Sequence, residues 1–407
     1  MNHHFQRHTY PIITNLSSQS FFSSDASQKR RLDVAIVGAP NAGKSQFLNT
    51  VTNTTISAVS RKRHTTRSGI LATHTRENTQ LVFIDTPGFV QCKTEKDEGM
   101  LSGLVKGARA GMDRADYTLV IVDAAKRIDD QLREELAILM VAAHHSRGRV
   151  EDVMLDDDGN LVEVVNDDAE TVDSWNRERF AIVFNKVDLV NPKELLLDLA
   201  DDIGSLGDSC VRYRGETLES EDDLIAAKET RFSAEEEAAL QEQYPSVFFI
   251  SSLKDDGVNE VIEHLFARAT PTKEFVLPPN QKTAMSMAER VEEMIREKLY
   301  RCLHREVPHS IVQVNRVLQK GKMKDGRIVL RIDQDLVVKT KSHHKLVMGR
   351  GGMTLQRIQE TAKRDILKTL RSEGYDDVIL NLHVKHSTAN QGKELEAERQ
   401  GVMSRSF

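Results

Sequence analysis

Four short stretches carry residues whose types and spacing could do chemistry. In Gly38-Ala39-Pro40-Asn41-Ala42-Gly43-Lys44-Ser45, two glycines bracket a short loop that ends in a lysine and a hydroxyl. Glycines there let backbone N–H groups approach a chain of phosphates, the lysine reaches the β- and γ-phosphates, and the serine hydroxyl ligates Mg2+. Asp85-Thr86-Pro87-Gly88 closes an apolar run with a carboxylate placed to hold the shell of that metal. Asn185-Lys186-Val187-Asp188 closes another apolar run with polar groups. Far downstream, Lys341, Lys345 and Gly349-Arg350-Gly351-Gly352 join cations to glycines, a combination suited to close approach by a sugar-phosphate backbone.

Those residues need elements to position them. A β-branched run, Asp33 to Val37, precedes the first loop, and a helical pattern from Gln46 follows it. That is the strand–loop–helix context the phosphate loop requires, with the helix N-terminus adding partial positive charge. Leu81–Asp85, Tyr117–Val122 (then Asp123), Phe180–Phe184 and Val247–Ile250 read as further buried strands with helical patterns between them. The pattern predicts a doubly wound α/β sheet whose strand ends carry the motifs. After a linker, Pro271 to Pro279, come a helix over about 283–304 and strands near 311–319 and 327–333. A glycine turn, a helix over 353–372 with Leu355, Ile358, Ala362, Ile366 and Leu370 in one stripe, and a strand alternating at Val378, Leu380, Leu382 and Val384 complete a smaller α+β unit.

Charge and composition narrow the class. With 407 residues, 39% hydrophobic and 29% charged, the chain has the composition of a soluble globular protein. The longest apolar stretch, Leu136 to Ala143, is far short of the roughly 20 residues a spanning helix needs. No transmembrane segment is expected, which leaves a peripheral membrane contact open. Cys92, Cys210 and Cys302 are widely separated, which fits neither a disulfide framework nor a zinc site. The net charge of −6 is unevenly spread: residues 151–175 hold ten acids and no Lys or Arg, and 198–243 hold fourteen acids against four bases. From Lys273 onward the count reverses to 26 basic against 17 acidic residues, the footprint of a polyanion binder. The two acidic stretches read as surface insertions in loops. Residues 1–31 are serine-rich, basic and nearly free of acids, the composition of an organelle transit peptide, with mitochondrion ahead of plastid.

In order along the chain, the first loop, a threonine in His64-Thr65-Thr66-Arg67, Asp85–Gly88, Asn185–Asp188 and Ser251-Ser252-Leu253 resemble the five signature motifs of a GTPase G domain. The resemblance implies that Asp188 accepts from the guanine N1–H and N2–H2, that Asn185 braces the loop and that Lys186 flanks the base. Adenine presents no such donors, so ATP would leave a buried carboxylate unpaired. Gly38 to Ser45, Asp85 to Phe89, Asn185 to Asp188, Ser251 and Ser252 are thereby expected to bind GTP, with Ser45, Asp85 and Thr66 around Mg2+. Thr65 and Thr66 both fit the metal position, and motif alignment prefers Thr66. Ser252 stands where the family usually has alanine. Ras-like members carry a glutamine directly after the Asp-x-x-Gly glycine to orient water, and this chain has Phe89. In the subgroup it resembles, an apolar residue is the rule there, and an asparagine at the place of Asn41 helps hold K+ beside the phosphates. Lys44, Asn41 and Thr66 are the catalytic residues so implied, a nucleotide switch with negligible turnover being the competing reading.

The order helix-strand-strand-helix-GxxG-helix-strand resembles a type II KH domain, whose GxxG turn clamps about four nucleotides of single-stranded nucleic acid. Lys341, Lys345, Gly349, Arg350, Gly351 and Gly352 would then be the RNA contacts. A G domain (32–270, with the acidic insertions), a linker (271–282) and a KH unit (283–386, before a tail over 387–407) together resemble the Era family of ribosome-associated GTPases. SRKRHTTRSGI (Ser60 to Ile70), DTPGF, REVPHS (Arg305 to Ser310) and VMGRGG match that family's own segments. With the leader, an organellar member is the nearest likeness. The family implies small-subunit ribosomal RNA and the small ribosomal subunit as partners, no DNA, and a role in assembly. A tRNA-modification GTPase shares the phosphate loop but would need a C-terminal cysteine, and this chain ends in Arg405-Ser406-Phe407.

Overall fold

The computed structural model describes residues 28–54, 70–85, 108–109, 111–146, 153–155, 161–163, 177–215, 218, 221–230, 232–304 and 307–386. Strands β1 (Arg30–Val37), β2 (Ile70–Arg76), β3 (Thr79–Asp85) and β4 (Tyr117–Asp123) open the chain, with helix α1 (Lys44–Thr52) after β1. Helix α2 (Asp130–His144), a hairpin of β5 (Val153–Leu155) and β6 (Leu161–Glu163), and strand β7 (Phe180–Asn185) follow. Then come α3 (Leu195–Arg212), α4 (Glu221–Glu229), α5 (Ala234–Gln241), β8 (Val247–Ile250), α6 (Val258–Arg268) and the short β9 (Thr270–Pro271).

One sheet runs β2-β3-β1-β4-β7-β8, with β9 pairing on β1. Strands β3, β1, β4, β7 and β8 are parallel, and β2 runs antiparallel on β3. The parallel strands are nearly continuous apolar runs because both faces are covered. On one face, residues of β4 and β7 pack with Leu136 and Met140 of α2 and with Ile203, Leu206 and Cys210 of α3. On the other, β1 and β3 pack with Phe47 and Leu48 of α1 and with Val261, Ile262 and Leu265 of α6. The carboxyl ends of β1, β3, β4 and β7 therefore meet where the strand order turns, the place at which doubly wound sheets bind ligands.

Three differences from the sequence reading stand out. Strand β1 starts at Arg30, not after residue 31: Arg30 and Arg31 pair with Thr79 and Gln80 on one side and with Pro271 and Thr270 on the other. Arg30 and Arg31 therefore belong to the sheet and not to the expected leader, because a basic composition does not reveal which arginines lie in a ladder. The acidic stretch 198–243 is also no loop insertion. Its first part belongs to α3, where Leu196, Leu199, Ile203, Leu206 and Cys210 face the core at helical spacing while Asp198, Asp201 and Asp202 stay exposed. Its remainder forms α4 and α5, anchored by the buried Leu224 and Leu240. The third difference is β2, unrecognised because its residues alternate weakly.

The linker is fastened to this sheet. Gln80, fully buried, accepts from the Val276 N–H (2.9 Å) and donates to the Leu277 carbonyl (2.8 Å). Thr73 of β2 donates its hydroxyl to Gln281 O (2.7 Å) and its N–H to Lys282 O (2.9 Å).

Beyond it, helix α7 (Met287–Cys302) begins at a capping box of Ser286 and Glu289. Strands β10 (Val312–Lys322) and β11 (Ile328–Val338) pair antiparallel, and β12 (Asp377–His386) lies parallel to β11. Helices α8 (Lys341–Met348) and α9 (Met353–Leu370) flank the glycine turn. Val291, Ile295 and Leu299 of α7, Val347 of α8, and Ile358, Ala362 and Ile366 of α9 share one core with Ile332, Leu336, Leu380 and Leu382. Both first strands run longer than their alternation suggested. In β11, Asp333 and Asp335 break the apolar pattern but remain buried, held by Arg331 and Asn381 and by Arg316 and Lys385.

Candidate nucleotide site and nucleic-acid interface

The loop after β1 wraps around its own lysine. Lys44, only 7% exposed at the start of α1, donates from Nζ to the carbonyls of Gly38 (2.8 Å) and Ala39 (3.0 Å). Ala42 N–H closes the turn onto Ala39 O (3.2 Å), with Pro40 and Asn41 at its tip. Ser45 follows Lys44 within the first turn of α1, where the free helical N–H groups point at a ligand. The cradle has no room for side chains: a Cβ on Gly43 would lie 2.1 Å from Asn185 Nδ2. A polyphosphate and a divalent cation fit this donor set.

The segments that would grip a base are tied to that loop. Asn185, 1% exposed at the end of β7, donates Nδ2–H to Ala42 O (2.9 Å). Its Oδ1 accepts from Lys186 N–H (2.8 Å) and Ser252 N–H (3.0 Å). One side chain thus joins three segments, the bracing role expected of it. Lys186, in the left-handed region at φ 65°, donates to Asn41 O (2.5 Å) and Asp123 Oδ2 (2.6 Å). Asp188 accepts from the buried Ser251 hydroxyl (2.7 Å), and Lys254 stands 3.8 Å from its other oxygen. Ser252 is buried, and its carbonyl accepts from Thr50 of α1 (2.7 Å). Val187 packs into the core below.

Asp123 is a site residue to which the sequence reading assigned no role. An acid at the carboxyl end of a parallel strand is the same signal that marked Asp85. For Asp85 the backbone is in place, paired with Ile36 of β1 and Ile70 of β2. Thr65, Thr66, Thr86, Pro87, Gly88 and Phe89 lie outside the described residues, so of the three expected metal ligands only Ser45 is placed with its side chain.

In the C-terminal unit, Thr340 caps α8, accepting from His343 N–H (3.0 Å), and Lys341 and Lys345 are exposed along that helix. The turn Gly349–Gly352 then reverses the chain into α9. Gly351 adopts φ 60°, and a Cβ there would meet nothing within 4 Å. Open space over a left-handed residue is what a backbone-to-backbone approach needs. Arg350 is exposed beside it, flanked by the exposed apolar side chains of Leu346 and Met353.

A family model described as a 50S ribosome-binding GTPase matches residues 33–147, the half of the large sheet that carries the phosphate loop. GTPase Era of Bradyrhizobium sp. (strain BTAi1 / ATCC BAA-1182) is 29% identical over 336 residues, covering 82% of both chains. Over most of its length the chain is similar to the GTPases of the Era family.

Mitochondrial GTPase Era of Danio rerio is 28% identical, with 83% of this chain and 72% of that protein aligned. Among solved structures, Era in complex with MgGDPNP and nucleotides 1506–1542 of 16S ribosomal RNA aligns with a TM-score of 0.59 at 22% identity, covering 89% of this chain and 95% of that one. The fold is accordingly that of an Era protein, a G domain followed by a smaller α+β unit. Within the described residues, no helix is long and apolar enough to cross a membrane.

Proposed function

We propose that this protein hydrolyses GTP to GDP and phosphate, and that its nucleotide state governs RNA binding by the C-terminal unit during assembly of a mitochondrial small ribosomal subunit. The observation that carries this is a polyphosphate cradle tied by Asn185 to the Asp188 loop, in one chain with a glycine turn open for a sugar-phosphate backbone. Asp188 accepts from guanine, Lys44 turns from its loop carbonyls to the phosphates, and Ser45 with Asp85 and Thr66 holds Mg2+. The metal supplies charge neutralisation at the transferring phosphoryl group. Asn41, exposed at the loop tip at φ 66°, would help hold K+ beside the phosphates, so turnover is expected to be faster in KCl than in NaCl. The Era structure in complex with a 16S ribosomal RNA fragment supports the choice of RNA, and the mitochondrial Era of Danio rerio supports the compartment.

Crosslinking the intact protein to RNA in its own cells tests the whole reading. RNA from the 3′ end of a mitochondrial small-subunit rRNA is expected; plastid rRNA would move the compartment, and tRNA alone would remove the assembly role. A second check is Gly351→Asp. Aspartate tolerates φ 60° better than most residues, and nothing is crowded by its side chain, so the fold should survive. Its charge opposes phosphates, so RNA affinity in an anisotropy titration should fall at least about tenfold with GTP turnover retained. Unchanged affinity would take the turn out of the interface.

A further inference from the structure

The exposed face of α9 carries a charge pattern that neither the core nor the glycine turn explains. Arg357, Arg364, Lys368 and Arg371 follow one another at spacings of seven, four and three residues, which stacks them along a single line of the helix and its C-cap. That line lies opposite the stripe of Ile358, Ala362, Ile366 and Leu370 that faces the core. A solvated helix face ordinarily mixes charges in i, i+4 pairs. Of the nearby acids, Asp365 pairs with Lys298, Glu373 with Arg290 and Asp377 with Lys363, while Glu360 on the same face accepts from the Gln356 amide and is the one acid interspersed with the cations. Among the described residues, none of the four stripe cations has a carboxylate within ion-pair distance. The line begins one turn beyond the glycine turn and runs about 21 Å along the helix.

We propose that this stripe binds the phosphates of the RNA chain that continues beyond the nucleotides held at the glycine turn. The proposal rests on the reading of the C-terminal unit as an RNA binder and deepens it. Four long cations in a row without interleaved aromatic rings hold a polyanion by its backbone and read no base. The stripe is continuous with the turn, so one strand can engage both. The turn selects a short single-stranded segment, and the stripe supplies length-dependent, salt-dependent affinity. The ligand is thus an RNA substantially longer than the segment the turn can hold.

The test uses the full chain carrying Arg364→Gln, Lys368→Gln and Arg371→Gln together, three exposed positions where glutamine keeps helix propensity. Binding is measured by anisotropy with an RNA of about four nucleotides and one of about twelve, over a range of salt. The expected result is unchanged affinity for the short RNA and at least a tenfold loss for the long one near 0.15 M salt. With each single-strand phosphate contact contributing about 0.7 to the salt slope, that slope should fall by about two. Equal binding of the long RNA by variant and wild type overturns the proposal, as does an equal loss on both RNAs, which would mean the helix acts through the turn. Faster or slower GTP turnover by the RNA-free variant would also overturn it, because the stripe would then be covering an acidic segment of its own chain. Gly351→Asp separates the two readings. If it keeps full RNA affinity while the triple variant loses it, the turn leaves the interface and the stripe remains the site.

Discussion

Lys44→Ala is expected to weaken GTP binding by at least about 100-fold. The ammonium is buried at the floor of the loop, where it donates to the carbonyls of Gly38 and Ala39. Bound phosphates present it with a far stronger acceptor, and truncating one side of a desolvated charge pair costs about 2–5 kcal/mol. At about 1.4 kcal/mol per decade, the middle of that range lies beyond 100-fold. The loop itself should persist, because Asn185 holds Ala42 O independently of the lysine. Calorimetric titration with GDP and GTP, beside a melting curve, checks both parts. Affinity equal to wild type would sink the phosphate-cradle assignment. A collapsed melting temperature would assign Lys44 to the fold instead.

Asp188→Asn is expected to exchange one nucleotide preference for another. The carboxylate has one oxygen committed to the Ser251 hydroxyl and the other near Lys254, leaving its remaining lone pairs for two guanine donors. Asparagine keeps a single acceptor and turns an N–H toward the base, where it would face the guanine N2–H2. Sites built to hydrogen-bond a particular group reject a mismatch by up to about 10⁴-fold, so GTP affinity should fall by two to three decades. Xanthosine triphosphate carries a carbonyl where guanine has the amino group, so its affinity should rise above that of GTP in the same variant. Competition titrations of the two nucleotides decide the matter. If both weaken equally and thermal stability drops, Asp188 serves only to hold Ser251.

Much of this was legible from local pattern. Apolar runs of β4 and β7 ending in polar residues located strands and their functional ends, because a strand buried on both faces must be apolar throughout. The phosphate loop was legible because its chemistry depends on a contiguous run of backbone. What escaped was whatever depends on a partner distant in sequence. The acids of 198–212 suggested a solvated insertion, yet the helical spacing beneath them puts α3 in the core, since exposed charge on one face says nothing of the other. Arg30 and Arg31 resembled leader because only their pairing with β3 and β9 makes them strand.

By itself, then, the sequence determined the order of elements, the Gly38–Ser45 loop, a carboxylate at Asp188 just past a buried strand, and the glycine turn, all encoded within a few consecutive residues. Only the tertiary structure decided that Asn185 bolts together residues as far apart as Ala42 and Ser252, that Asp123 steadies Lys186, and that Gln80 fastens the linker to the sheet. Those contacts exist because parallel strands distant in the chain end side by side. Which cations stay uncompensated on α9 was likewise a tertiary outcome, since it depends on how packing pairs off the acids around them.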